Sequence, residues 1–152
     1  MRSDEGDTRS AGSAGILRWS GIYFGAVFGV GFLLGPIRVL WLEPRLGERA
    51  AQLIEAPFML LATVLAGRWV GGHLRSGYGA CARLAIGALA AGLVLLADLG
   101  VGVGLRGMTM AEVFGGRDPV SGAVYYALVA LMALAPWALA RKGGTVGRGG
   151  KP

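Results

Sequence analysis

Residues 84–105 read LAIGALAAGLVLLADLGVGVGL, 22 positions with a single ionisable side chain, Asp98. At about 1.5 Å of rise per residue this run makes a helix of roughly 33 Å, the thickness of a bilayer's hydrocarbon core. Three more runs have comparable length: Trp19–Leu42, Ala50–Gly71 and Pro119–Ala140. All four are continuous, whereas a transmembrane barrel needs alternating segments of about ten residues. The sequence therefore predicts an all-α chain, an integral membrane four-helix bundle with spans at about 19–42, 50–71, 84–105 and 119–140.

Composition agrees. Of the 152 residues, 54% are hydrophobic and 16% charged, against roughly a quarter charged in soluble domains. The net charge of +6 does not require a nucleic acid, because the basic residues flank the spans. There each is attracted to anionic headgroups by about 1 kcal/mol. The expected partners are the lipid bilayer and anionic lipids at its cytoplasmic face, with no nucleic acid.

Boundary residues set the expected organisation. Residues 1–15 read as a disordered cytoplasmic tail, 16–141 as one four-span domain, and 142–152 as a Gly-rich basic cytoplasmic tail. The first apolar run exceeds a signal-peptide core and lacks a small-residue cleavage pattern, so it is expected to stay as a span. Pro36 is expected to kink span one, Glu43-Pro44 to end it, and Pro57 to lie in or near the first turn of span two. Thr109-Met110-Ala111-Glu112 fits a capping box, which predicts a short interfacial helix between helices 3 and 4. Asp118-Pro119 reads as the N-cap and first position of span four.

Lys and Arg sort by side. Ten (Arg2, Arg9, Arg18, Arg68, Arg75, Arg83, Arg141, Lys142, Arg148, Lys151) fall on the side of both termini, and five (Arg38, Arg45, Arg49, Arg106, Arg117) on the other. The positive-inside rule then puts the N-terminus and the C-terminus in the cytoplasm.

Charged groups within the spans are the sharpest functional lead, since each is costly in lipid. Arg38, Glu55 and Asp98 all fall in the outer half of their spans and share helical stripes with glycine or alanine. Small-residue faces are where helices meet, so the three are expected to point inward as a polar cluster. The cluster admits a structural reading, an ion-pair set that fixes helix register. It also admits a functional one: a proton relay, an ion path or a counter-charge for substrate. Simple snorkelling to the interface is the third reading.

Glycine is the second lead. Gly21, Gly25 and Gly29 recur every four residues, and Gly31 and Gly35 repeat the interval, a helix-packing seam within the bundle or between two copies. Elsewhere the chain offers little chemistry. His73 is alone in an expected loop, Cys81 is single, and no second histidine exists to build a metal site. No catalytic constellation and no cofactor motif is present, so an enzyme is not expected.

The stretches Gly35-Pro36-Ile37-Arg38-Val39-Leu40, Pro44-Arg45-Leu46-Gly47-Glu48 and Glu55-Ala56-Pro57-Phe58-Met59-Leu60 resemble an uncharacterised family of small four-span integral membrane proteins of alphaproteobacteria. Arg83-Leu84-Ala85-Ile86-Gly87 and Arg117-Asp118-Pro119-Val120-Ser121-Gly122-Ala123 extend the resemblance across all four spans, without the tails. It implies a bacterial inner (plasma) membrane and places Arg38, Arg45, Glu48 and Glu55 in the shared pattern. It implies no activity. The function expected is that of an accessory or scaffold protein packing with itself or a larger membrane complex. The alternative is a small proton- or ion-coupled transporter using Arg38, Glu55 and Asp98.

Overall fold

The computed structural model describes residues 4–74, 78–104, 106–116 and 118–140. Helix α1 spans Asp4–Ile37, a π-helical segment follows at Arg38–Leu42, and α2 spans Glu43–His73. Then come α3 (Ala80–Gly104), a short α4 (Met110–Gly115) and α5 (Pro119–Ala140). No strand occurs among the described residues.

Three helical stretches are long and apolar enough to cross a membrane: Gly12–His73, Ala80–Gly104 and Pro119–Leu139. The first stretch, 62 residues long, contains both of the first two expected spans, and it folds back on itself. The Tyr23 hydroxyl donates to the Thr63 carbonyl across 40 positions, and the Trp19 and Trp69 rings lie 5.9 Å apart. The reversal centres on Gly47, whose φ of 81° and ψ of 161° interrupt α2. A side chain rarely adopts that φ, and glycine adopts it freely.

Several boundaries differ from the sequence reading. Glu43-Pro44 does not end a span: Pro44 sits in the first turn of α2, where a missing amide hydrogen costs nothing. Pro57 lies well inside α2 rather than in its first turn, and His73 belongs to that helix's last turn rather than to a loop. Cys81 is exposed near the start of α3. Part of the segment expected as an unstructured N-terminal tail is helical, because α1 begins at Asp4 with no proline before Pro36 to stop it. Residues 142–152 lie outside the described residues. Helix α5 begins at Pro119 as expected, with the Asp118 carboxylate accepting from the amides of Val120 and Ser121.

The four long arms form a closed ring, α1 beside α2, α2 beside α5, α5 beside α3, and α3 beside α1. Small residues set how closely they approach. A methyl added at Gly87 would overlap the Ala133 carbonyl, one at Gly67 would come within 2.9 Å of the Ala135 methyl, and one at Gly102 within 2.6 Å of Val113. Tyr23, Val27, Val70, Leu74, Ile86, Ala90 and Met132 fill the core toward the His73 end. Ser20, Thr63 and Ser121 are also buried, whereas Leu33 and Leu96 are 71% and 64% exposed. Small and polar side chains are thus buried beside the apolar core while many large apolar ones face outward, which suits a chain whose solvent is lipid.

Candidate functional site: a charged cleft at the Gly47 end

The end of the bundle that contains Gly47, α4 and Asp118 is less tightly filled than the His73 end. A cleft of about 520 Å³ lies there, walled by α1, the π-helical segment, α2 as far as Met59, α3, α4 and Tyr125 of α5. Its apolar lining includes Val27, Phe28, Phe32, Met59 and Val94, of which Val27 is buried and Phe32 exposed. Val27 belongs both to the cleft lining and to the packed core with Tyr23 and Ile86.

Arg38, Glu55 and Asp98 all line it. Arg38 Nη1 donates to Glu55 Oε2 at 3.0 Å, and both side chains are largely buried, 22% and 13% exposed. A second carboxylate, Glu43, lies 3.3 Å from Arg38 Nε, close enough to pair but without an aligned hydrogen bond. Asp98 is held differently: it accepts from the Tyr125 hydroxyl of α5. The structure thus brings Arg38 and Glu55 into direct contact and sets Asp98 on the same cleft through another partner.

Neither Glu43 nor Tyr125 stood out in the sequence. In an α-helix a residue five positions on is turned by about 140° from its starting point, so Glu43 reads as facing away from Arg38. The π-helical segment changes this, because its repeat is i to i+5. The Glu43 amide donates to the Arg38 carbonyl, which carries both side chains to one side. The one signal available was Pro36, which removes an amide donor just before the segment. Tyr125 lies next to Tyr126 in an otherwise apolar helix, and nothing in the sequence singles it out.

The rim carries further charge. Glu48 accepts from Gln52 Nε2 at 3.1 Å, and Arg106 also lines the cleft. Glu112 closes the expected capping box: its carboxylate accepts from the Thr109 amide at 2.7 Å and its own amide donates to the Thr109 hydroxyl. The Thr109 amide, foremost, holds the Glu112 carboxyl below the usual carboxylate range. Outside the cleft, Arg49 Nε donates to Asp118 Oδ2 at 2.9 Å, tying α2 to the α5 cap and lowering the Asp118 pKa. Arg45 lies over the Trp41 ring, 4.8 Å from its centroid, a cation–π contact of the kind favoured at interfaces.

The expected glycine seam takes another form. Nothing lies within 4 Å of where a Cβ would stand at Gly21, Gly25, Gly29 or Gly35, and only Gly31 meets a neighbour, the Met59 side chain. Within one copy the close approaches between elements include Gly67, Gly87 and Gly102, and on α1 itself Gly15, which faces the Tyr78 hydroxyl. Spacing identifies a smooth face on one helix, and only the partner's position decides whether the face is used.

No group of three metal-ligating side chains occurs among the described residues. His73 lies against Trp69 and Trp19 with Nδ1 2.8 Å from the Trp69 carbonyl. No protein-family model, curated protein or solved structure matches the chain.

Proposed function

We propose that this chain is a multi-pass protein of a bacterial inner membrane that crosses the bilayer four times, with both termini in the cytoplasm. It acts as an accessory protein by binding, the cleft at the Gly47 end being the place where a partner group is received. Four crossings follow if the Gly12–His73 stretch passes out and back. Straight, its 62 residues would extend about 93 Å, roughly three times the hydrocarbon thickness. The contacts from Tyr23 to Thr63 and from Trp19 to Trp69 support the return. The short α4 then lies at the outer interface.

The observation that carries the binding reading is the cleft of about 520 Å³ lined by both charged and apolar side chains. Charged and apolar side chains on one concave surface suit holding a group, and the cleft meets the packed core at Val27. Two measurements test it. Reporter fusions at the two termini are expected to give the cytoplasmic signal at both. Purification in mild detergent is expected to yield a reproducible co-purifying membrane protein or a stable homo-oligomer; a lone monomer counts against the accessory role.

The second reading, proton- or ion-coupled transport, draws on the presence of Arg38, Glu55 and Asp98 on one cleft. Liposomes containing the protein and a trapped pH dye discriminate. Proton flux equal to that of empty liposomes fits binding, whereas flux abolished by Asp98→Asn fits transport.

A further inference from the structure

We propose that the cleft at the Gly47 end binds an amphiphile with an ammonium head and an apolar body. The proposal rests on reading the cleft as a binding site and goes beyond it in naming the chemistry of what enters.

Charge balance points to the head. Four carboxylates line the cleft (Glu48, Glu55, Asp98 and Glu112) against two guanidiniums, Arg38 and Arg106. One guanidinium is already taken up, because Arg38 faces Glu55 at 3.0 Å and Glu43 at 3.3 Å. Glu48 and Glu112 accept from uncharged donors, the Gln52 amide and Thr109, which orient the carboxylates and leave their negative charge in place. In a site bordered by apolar walls such an excess attracts a cation and opposes an anion.

A bare metal ion is the wrong cation, since no three ligating side chains converge among the described residues. An ammonium needs no fixed coordination shell and tolerates carboxylates spread around a rim. The remaining lining points to the body. Val27, Phe28, Met59 and Val94 supply apolar wall, and about 520 Å³ falls within the range of roughly 300–1,000 Å³ typical of small-molecule sites. The rim also contains the π-helical segment beginning at Arg38, a backbone form found often at functional sites. Two sources share the ammonium chemistry: an ethanolamine lipid of the surrounding bilayer and a free amphipathic amine.

The test uses the full chain in nanodiscs of digalactosyldiacylglycerol, whose head is uncharged and contains no ammonium, with empty discs as background. Decyltrimethylammonium, decanoate and decanol are compared by equilibrium dialysis. Saturable binding of the ammonium alone is expected, weakened about tenfold or more in Glu48→Gln/Asp98→Asn. Gly35→Phe projects a ring into the cleft from a position with no neighbouring atom within 4 Å, and is expected to abolish binding without lowering thermal stability. Equal saturable binding of all three probes overturns the ammonium assignment and leaves the binding cleft standing. Absence of saturable binding by any probe overturns both. Discs with half their lipid replaced by phosphatidylethanolamine separate the sources. Displacement of the probe supports the ammonium site with lipid as occupant, and unchanged binding supports it with a free amine.

Discussion

Arg38 shows how one residue can organise a site. It begins the π-helical segment, so the carboxylate five positions ahead comes round to it while Glu55 of the returning arm closes the other side. Removing Arg38 leaves two largely buried carboxylates without their cation. Breaking a buried pair costs about 3–5 kcal/mol, and with partial exposure Arg38→Ala is expected at the lower part of that range, read as thermal unfolding in detergent. Replacing the pair together, as Arg38→Met with Glu55→Leu, is expected to recover most of the loss, because apolar groups of similar volume have no charge to desolvate. If the double variant is as unstable as the single one, the pair is not acting as a unit. Asp98 is anchored in a different manner, through Tyr125. Tyr125→Phe is therefore expected to lower stability by about 1 kcal/mol in the same measurement.

Between elements, glycines divide into two kinds that look alike in sequence. Gly87 abuts the Ala133 backbone, where nothing can yield except by separating α3 from α5. Gly87→Ala is expected to destabilise by about 1–3 kcal/mol, as overpacking does. Gly21→Ala meets only open space and gains helix propensity, so it is expected to be neutral or stabilising by up to about 1 kcal/mol. The contrast in melting temperature between the two variants checks which glycines carry the packing. At the Gly47 end, the Arg49–Asp118 bond ties α2 to the start of α5 and holds the Asp118 carboxyl low. A carboxyl whose folded pKa is depressed stabilises the protein above its ordinary range and ceases to do so as pH falls through the lowered value. Asp118→Asn is thus expected to melt below the unsubstituted protein at pH 7. The two curves converge once the pH is below that lowered value, and a gap that persists at low pH would assign the effect to the cap rather than to the charge.

At the scale of the molecule, tightness and polarity are distributed unevenly along the bundle. The His73 end is filled by Tyr23, Val70, Ile86 and Met132, with the rings of Trp19, Trp69 and His73 meeting edge-on or tilted nearby. The Gly47 end is opened by the cleft and tied by ion pairs. Cys81 is exposed near the start of α3, on the side assigned to the cytoplasm. A membrane-impermeant maleimide is expected to label it in inverted vesicles and not in intact spheroplasts; labelling of intact cells reverses the assigned orientation.

The membrane character of this chain and its helical class were legible in residues 84–105 and the other apolar runs, because helix length and hydropathy are local properties that the bilayer reads directly. The α5 cap at Asp118 and the Thr109–Glu112 box were legible for the same reason: capping is decided within four residues. That Arg38, Glu55 and Asp98 are costly in lipid was also plain from composition. Their actual partners were not. Glu43 reaches Arg38 only because the backbone widens to a π-helix, and Tyr125 reaches Asp98 only because α5 packs antiparallel against α3. The glycine face of α1 depends likewise on where a neighbour stands. Contacts between elements follow from ring order and register in three dimensions, which a one-dimensional pattern of small and apolar residues leaves open.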